Sequence, residues 1–117
     1  MQKVENQINS MDDFQKVLNE NQNKVFIKFS ADWCGPCKAI KPIVDQWIPK
    51  FPADCVFHEI DIDESLELYS FMKTKKMVNG IPAILCYYKD NTNYIPNSQV
   101  IGGNPTEVNK FFMATNF

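Results

Sequence analysis

The chain has 117 residues, 44% of them apolar, and a formal charge of −2 at neutral pH. That length can bury one hydrophobic core without disulfide staples, and 12 lysines with no arginine and no basic run leave no electrostatic footprint for nucleic acid or an anionic membrane surface. No apolar stretch approaches membrane-spanning length, and the start Met1-Gln2-Lys3-Val4-Glu5-Asn6-Gln7 lacks an apolar signal core, so the expected compartment is a reducing cytosol.

There is no internal repeat, low-complexity tract or dividing linker, so residues 1–117 are expected to form one domain. Lys3 to Ile8 reads as a short edge strand. Ser10 is placed to cap a helix, with Asp13 at its third position and Phe14, Val17 and Leu18 as its apolar stripe; Asn21 to Asn23 ends it. Lys24-Val25-Phe26-Ile27-Lys28-Phe29-Ser30 is rich in apolar and β-branched residues and reads as a strand. A helix over 34–50 follows, with Ile40, Ile43, Val44 and Trp47 on one side; Pro42 is tolerable as a kink, and Pro49 and Pro52 close the segment. Next come a strand at 55–61, a helix near 64–73 carrying Leu66, Leu68, Tyr69 and Met72, and a strand at 82–88. A turn from Lys89 to Ser98 leads into a last strand, and Asn104-Pro105-Thr106-Glu107 reads as a capping box opening the final helix. Alternation of strand and helix over the first two thirds implies parallel pairing, and the final turn implies an antiparallel edge.

Cys34-Gly35-Pro36-Cys37 falls at a strand-to-helix junction. There the unpaired N–H groups of the first turn and the positive end of the helix dipole stabilise a thiolate, which makes Cys34 the natural nucleophile. Pro36 fixes φ and removes an N–H that has no partner in a first turn; Gly35 lets another backbone approach. Half of a zinc site and two neighbouring core thiols share this spacing. Zinc is disfavoured, because only Cys55, Cys86 and His58 remain as soft ligands and none completes a second pair. Cys55 and Cys86 lie in apolar strands and read as core residues. His58 has no cysteine or acid at triad spacing and is given no catalytic role.

The run Phe29-Ser30-Ala31-Asp32-Trp33-Cys34-Gly35-Pro36-Cys37-Lys38, with Lys41-Pro42 and Gly80-Ile81-Pro82 after it, resembles the thioredoxin family over nearly the whole chain. The resemblance implies an α/β single-domain thioredoxin fold, a central mixed sheet of about five strands flanked by about four helices. It implies a protein-disulfide reductase in which Cys34 attacks a substrate disulfide, Cys37 resolves the mixed disulfide, and a cis-proline, here Pro82, faces the pair. Trp33, Gly35, Pro36, Gly80, Ile81, Ile101, Gly102 and Gly103 fall on the family's substrate-contacting surface. No bound cofactor is implied. The redox-active Cys34–Cys37 disulfide would be reduced by an external enzyme resembling thioredoxin reductase, the partners would be disulfide-containing proteins, and the chain would act as a monomer.

The chain departs from the family six residues before Cys34, where thioredoxins usually carry a buried aspartate that accepts a proton and this sequence has Lys28. A lysine inside an apolar strand must either reach the surface or meet a carboxylate. Glu59 is the leading partner, on the strand that the family places alongside, and Asp61 is a second candidate on the same face by alternation. Two other readings stay open: a thioredoxin-fold binding or chaperone-like module with secondary redox activity, and an oxidase or isomerase.

Overall fold

The computed structural model describes residues 1–117. Its elements in chain order are β1 (Gln2–Glu5), α1 (Met11–Asn19), β2 (Lys24–Ser30), α2 (Gly35–Trp47) with a 3-10 turn at Ile48–Lys50, β3 (Val56–Asp61), α3 (Leu66–Thr74), β4 (Ala83–Tyr88), β5 (Ser98–Ile101) and α4 (Pro105–Thr115). The strands form one five-stranded sheet in the order β1-β3-β2-β4-β5. The pairs β1–β3 and β3–β2 are parallel, and β2–β4 and β4–β5 are antiparallel. This is the mixed α/β architecture that the sequence implied.

β2 is central, and helices cover both faces of the sheet, which is why its sequence runs apolar instead of alternating. Val25, Ile27 and Phe29 point to one face, where they pack with Phe14 and Leu18 of α1 and Leu68, Tyr69 and Met72 of α3. Phe26 points to the other, into an aromatic cluster with Phe51, Phe57, Phe111 and Phe112, closed by Ile40 and Val44 of α2. Each fully buried side chain of this size contributes about 1.5–3 kcal/mol.

Several boundaries differ from the sequence reading, each for a local reason. The first strand ends at Glu5, not Ile8: Asn6 adopts φ 51 and its Oδ1 accepts the Asp61 N–H at 2.9 Å, turning the chain off the sheet so that Ile8 drops into the core. α3 begins at Leu66, because the amides of Glu64 and Ser65 both donate to the Asp61 carbonyl at 3.0 Å in a preceding turn. α2 runs through Pro42 and gives way to the 3-10 turn at Ile48-Pro49-Lys50, where Pro49 has no N–H to continue the ladder. The cap at Asn104 is one-sided: Oδ1 accepts from Thr106 and Glu107 amides at 2.9 and 3.2 Å, while the Glu107 carboxylate turns to Lys110. The turn from Lys89 to Ser98 is built by asparagines: Asn91 accepts from the Asn93 amide, Asn93 from the Ile95 amide, and Asn97 from the Tyr88 amide, at 2.9, 2.9 and 2.8 Å.

Register gathers one end of the sheet into a site. Phe29 of β2 pairs with Ala83 of β4, which pairs with Ile101 of β5. Immediately beyond that row lie the segment from Ser30 to Cys37, then Pro82, and then Gly102.

Candidate active site

Cys34 is the N-cap of α2 with extended backbone (φ −89, ψ 107), and its Sγ accepts the Cys37 N–H at 3.2 Å. Cys34 and Cys37 form a disulfide with Cα atoms 5.3 Å apart. Its seat is fixed on both sides: the Cys34 N–H donates to the Ala31 carbonyl at 3.1 Å, and the Lys38 N–H to the Cys34 carbonyl at 3.3 Å. Gly35 and Pro36 occupy the first two helical positions, where Pro36 loses no intrahelical bond. Both sulfurs are largely buried in a small cluster with Ala31, against which Ile62 and Ile81 pack. The site can therefore hold a thiolate at a helix N-terminus beside an apolar contact surface, the arrangement that thiol–disulfide exchange needs.

The Ile81–Pro82 peptide bond is cis. The Pro82 carbonyl accepts the Gly102 N–H at 2.8 Å, and Gly102 adopts φ 98, a left-handed value open to glycine at little cost. Gly80 has open space around its α-carbon. Trp33 is 68% exposed beside Cys34, and its indole N–H donates to Asp63 Oδ2 at 3.0 Å. Asp63 was not singled out from the sequence; it lies in the loop after β3, and nothing in the spacing signals that its carboxylate reaches the tryptophan. Trp47, read as core, is half-buried: it stacks on Phe112 while its N–H donates to Asn109 at 2.9 Å.

Behind the disulfide, Lys28 is 2% exposed, and its Nζ lies 3.1 Å from Glu59 Oε1. The two residues are register partners across β2 and β3. The Ser30 hydroxyl donates to the same oxygen at 2.9 Å, a contact absent from the sequence reading because it needs the parallel register to be known. Glu59 Oε2 is buried without a partner. Asp61 does not join the pair; its Oδ1 accepts the Asp63 N–H at 2.8 Å and orders the loop. Lys28, Ser30, Glu59, Asp61 and Cys37 line one cleft of about 220 Å³, with Lys3, Lys38 and Lys41 at its margin.

The other sulfurs lie elsewhere. Cys55 and Cys86 are free and fully buried in the aromatic cluster, and burial raises both thiol pKa values, which keeps them protonated and unreactive. His58 faces the opposite side of the sheet, buried, with Nδ1 unpaired.

Comparison with known proteins is consistent along the chain. A family model described as Thioredoxin matches residues 5–114. A thioredoxin of Coprinus comatus is 31% identical over 100 residues, covering 85% of this chain and 86% of its own. Thioredoxin-2 of Saccharomyces cerevisiae is 28% identical, covering 87% and 89% respectively. Among solved structures, oxidised mitochondrial thioredoxin 3 of Saccharomyces cerevisiae matches with a TM-score of 0.70 at 28% identity, covering 97% of this chain and 94% of that one.

Proposed function

The chain belongs to the thioredoxin family and is a thiol–disulfide oxidoreductase with Cys34 and Cys37 as its redox pair; we propose the following assignment of its residues, partners and compartment. Cys34 thiolate attacks one sulfur of a protein disulfide, forming a mixed disulfide and releasing the other sulfur as a thiolate that takes a proton from water. Cys37 then loses its proton and attacks Cys34 Sγ. This closes the Cys34–Cys37 disulfide and expels the second substrate sulfur, so two electrons have passed from the dithiol to the substrate. An external dithiol enzyme of the thioredoxin-reductase kind restores the reduced pair, and no bound cofactor takes part.

The observation that carries this reading is the N-cap position of Cys34, with its sulfur held on the Cys37 N–H. A hydrogen bond to the charged form favours the thiolate, and the helix dipole adds to it. Trp33, Gly80, Ile81, Pro82 and Gly102 supply the apolar and backbone surface on which the substrate strand rests.

Glu59 is the assigned acceptor of the Cys37 proton. Its Oε1 is occupied by Lys28 and Ser30, its Oε2 is buried without a partner, and Glu59 and Cys37 line the same cleft. Lys28 is then a positioning residue that holds the carboxylate in place and adds positive charge beneath the thiols. The two free buried thiols favour a reducing compartment, the cytoplasm in this reading, and the chain works as a monomer.

Insulin reduction driven by dithiothreitol tests the assignment. The wild-type chain accelerates precipitation of the insulin B chain well above reductant alone, and Cys34→Ser abolishes the acceleration. Wild-type activity no greater than the reductant background overturns it in favour of a binding module.

A further inference from the structure

Asn79 is the one asparagine of the chain that precedes a glycine. In such a pair no β-carbon shields the glycine nitrogen, which can reach the carboxamide carbon of the residue before it when nothing else holds either group. Both groups are unheld here. Asn79 is exposed and its side chain makes no hydrogen bond, the Gly80 N–H donates to no backbone carbonyl, and a β-carbon added to Gly80 would meet nothing within 4 Å. Elsewhere the carboxamides are engaged: Asn6, Asn97 and Asn104 each accept a backbone amide on Oδ1. Asn9 and Asn116 also have unbonded side chains, but Ser10 and Phe117 follow them and hinder the approach.

We propose that Asn79-Gly80 is a self-modification site, at which the chain converts Asn79 to isoaspartate and aspartate and so lowers its own reductase activity; the loss of activity rests on the oxidoreductase reading. The Gly80 N–H gives its proton to hydroxide, and the nitrogen attacks Asn79 Cγ. A C–N bond forms and closes a cyclic imide as the Cγ–Nδ2 bond breaks; the leaving nitrogen takes a proton from water and departs as ammonia. Water then opens the imide at either carbonyl, giving α-linked aspartate or β-linked isoaspartate. The sum is carboxamide plus water to carboxylic acid plus ammonia, with no electrons exchanged.

The pair lies on a short span between two anchors. Val78 is buried in the core beneath α1 and α3, and Ile81 packs against the cluster of Ala31, Cys34 and Cys37. Isoaspartate routes the main chain through the side-chain carbon and lengthens this span by a methylene. With Val78 held, the added length is taken up at Gly80 and Ile81, which moves the apolar surface that rests on the cysteines. Aspartate adds a charge without added length, and water around the exposed loop screens that charge.

The test incubates the whole chain in mildly alkaline buffer, with and without urea. It follows the mass of the Asn79 peptide, methyl transfer by a protein isoaspartyl methyltransferase, and insulin reduction. In the folded chain the Asn79 peptide gains the mass of an amide-to-acid exchange faster than any other asparagine peptide, and it becomes a methyl acceptor. The purified isoaspartyl chain loses about tenfold in kcat/KM, the loss appropriate to a positioning surface displaced by part of an ångström. Asn79→Asp, which keeps the backbone length, loses less than about threefold. Asn79→Ser and Asn79→Gln keep their activity through the incubation. Conversion confined to urea overturns the proposal, because the folded loop then withholds the attack. So does conversion that leaves insulin reduction unchanged, or an equal decline in the two unconverted variants. A freshly prepared chain without activity signals failure of the oxidoreductase reading instead; the peptide mass, and the rate of Cys34 alkylation before and after conversion, still decide the proposal in that event.

Discussion

At the scale of single residues, the unusual feature is a buried cation behind the cysteines, and its energetics are asymmetric. Lys28 is sealed at 2% exposure, whereas the Glu59 side chain keeps 21% of its surface in water. Removing Glu59 strands a dehydrated ammonium with no carboxylate, the situation that costs about 3–5 kcal/mol in buried pairs. Removing Lys28 leaves a carboxylate that still has the Ser30 hydroxyl and can draw water from the cleft. Urea denaturation is thus expected to show Glu59→Leu destabilised by about 3 kcal/mol and Lys28→Met by only about 1 kcal/mol. Equal losses would mean that the pair is hydrated as a unit. The same two variants separate roles in chemistry. Lys28→Met raises the pH midpoint of thiol alkylation by removing positive charge, while Glu59→Gln leaves Cys34 attack intact and slows resolution of a trapped mixed disulfide. Unchanged alkylation profiles and unchanged resolution rates in both would remove the pair from the mechanism.

At the scale of elements, the fold brings the working parts together by register and by short polar contacts, and the two differ in how visible they are beforehand. Strand β2, the cap at Ser10 and the seat of Cys34 at the start of α2 are local, set by apolar runs, a hydroxyl three residues before an amide, and a proline where no N–H is needed. These were legible in the sequence. Gly102-Gly103 reads in the sequence only as part of the substrate-contacting surface, because its contact with Pro36 joins residues 67 positions apart in the chain. Ser30 and Asp63 were missed for the same reason: the side chain of each bonds to a residue about 30 positions away. The hairpin between β4 and β5 is the solvent-exposed turn expected, and asparagine side chains order it. Asn97 Oδ1 accepts from both the Tyr88 amide and the Asn91 side chain at 2.8 Å. Asn97→Ala should lower stability by about 1 kcal/mol, since exposed donors regain water, with insulin reduction unchanged. A loss above about 3 kcal/mol in chemical denaturation would mean the turn is part of the cooperative core.

At the scale of the whole molecule, the two apolar layers share one sheet, so a charge forced on a buried group at one edge is felt in the folding equilibrium of the entire chain. His58 is such a group. It sits under the cleft formed by Val17, Glu20, Asn21 and Gln22 of the α1 end and Asp54 and Val56 before and within β3. Burial lowers its pKa from 6.5 to about 4. Between those values the unfolded chain binds a proton that the folded chain refuses. Stability contributed by neutral His58 is therefore complete above pH 6.5 and is lost as the pH falls toward 4, by roughly 3 kcal/mol in all. It is the chain's only histidine, so the upper part of this window is where the buried imidazole dominates. His58→Leu keeps the volume apolar and removes the proton. The variant should hold its urea midpoint nearly constant from pH 7 to 5, while the wild-type midpoint declines across the same interval. Parallel decline of both chains would place the acid sensitivity in the carboxylates around the cleft and not in the buried imidazole.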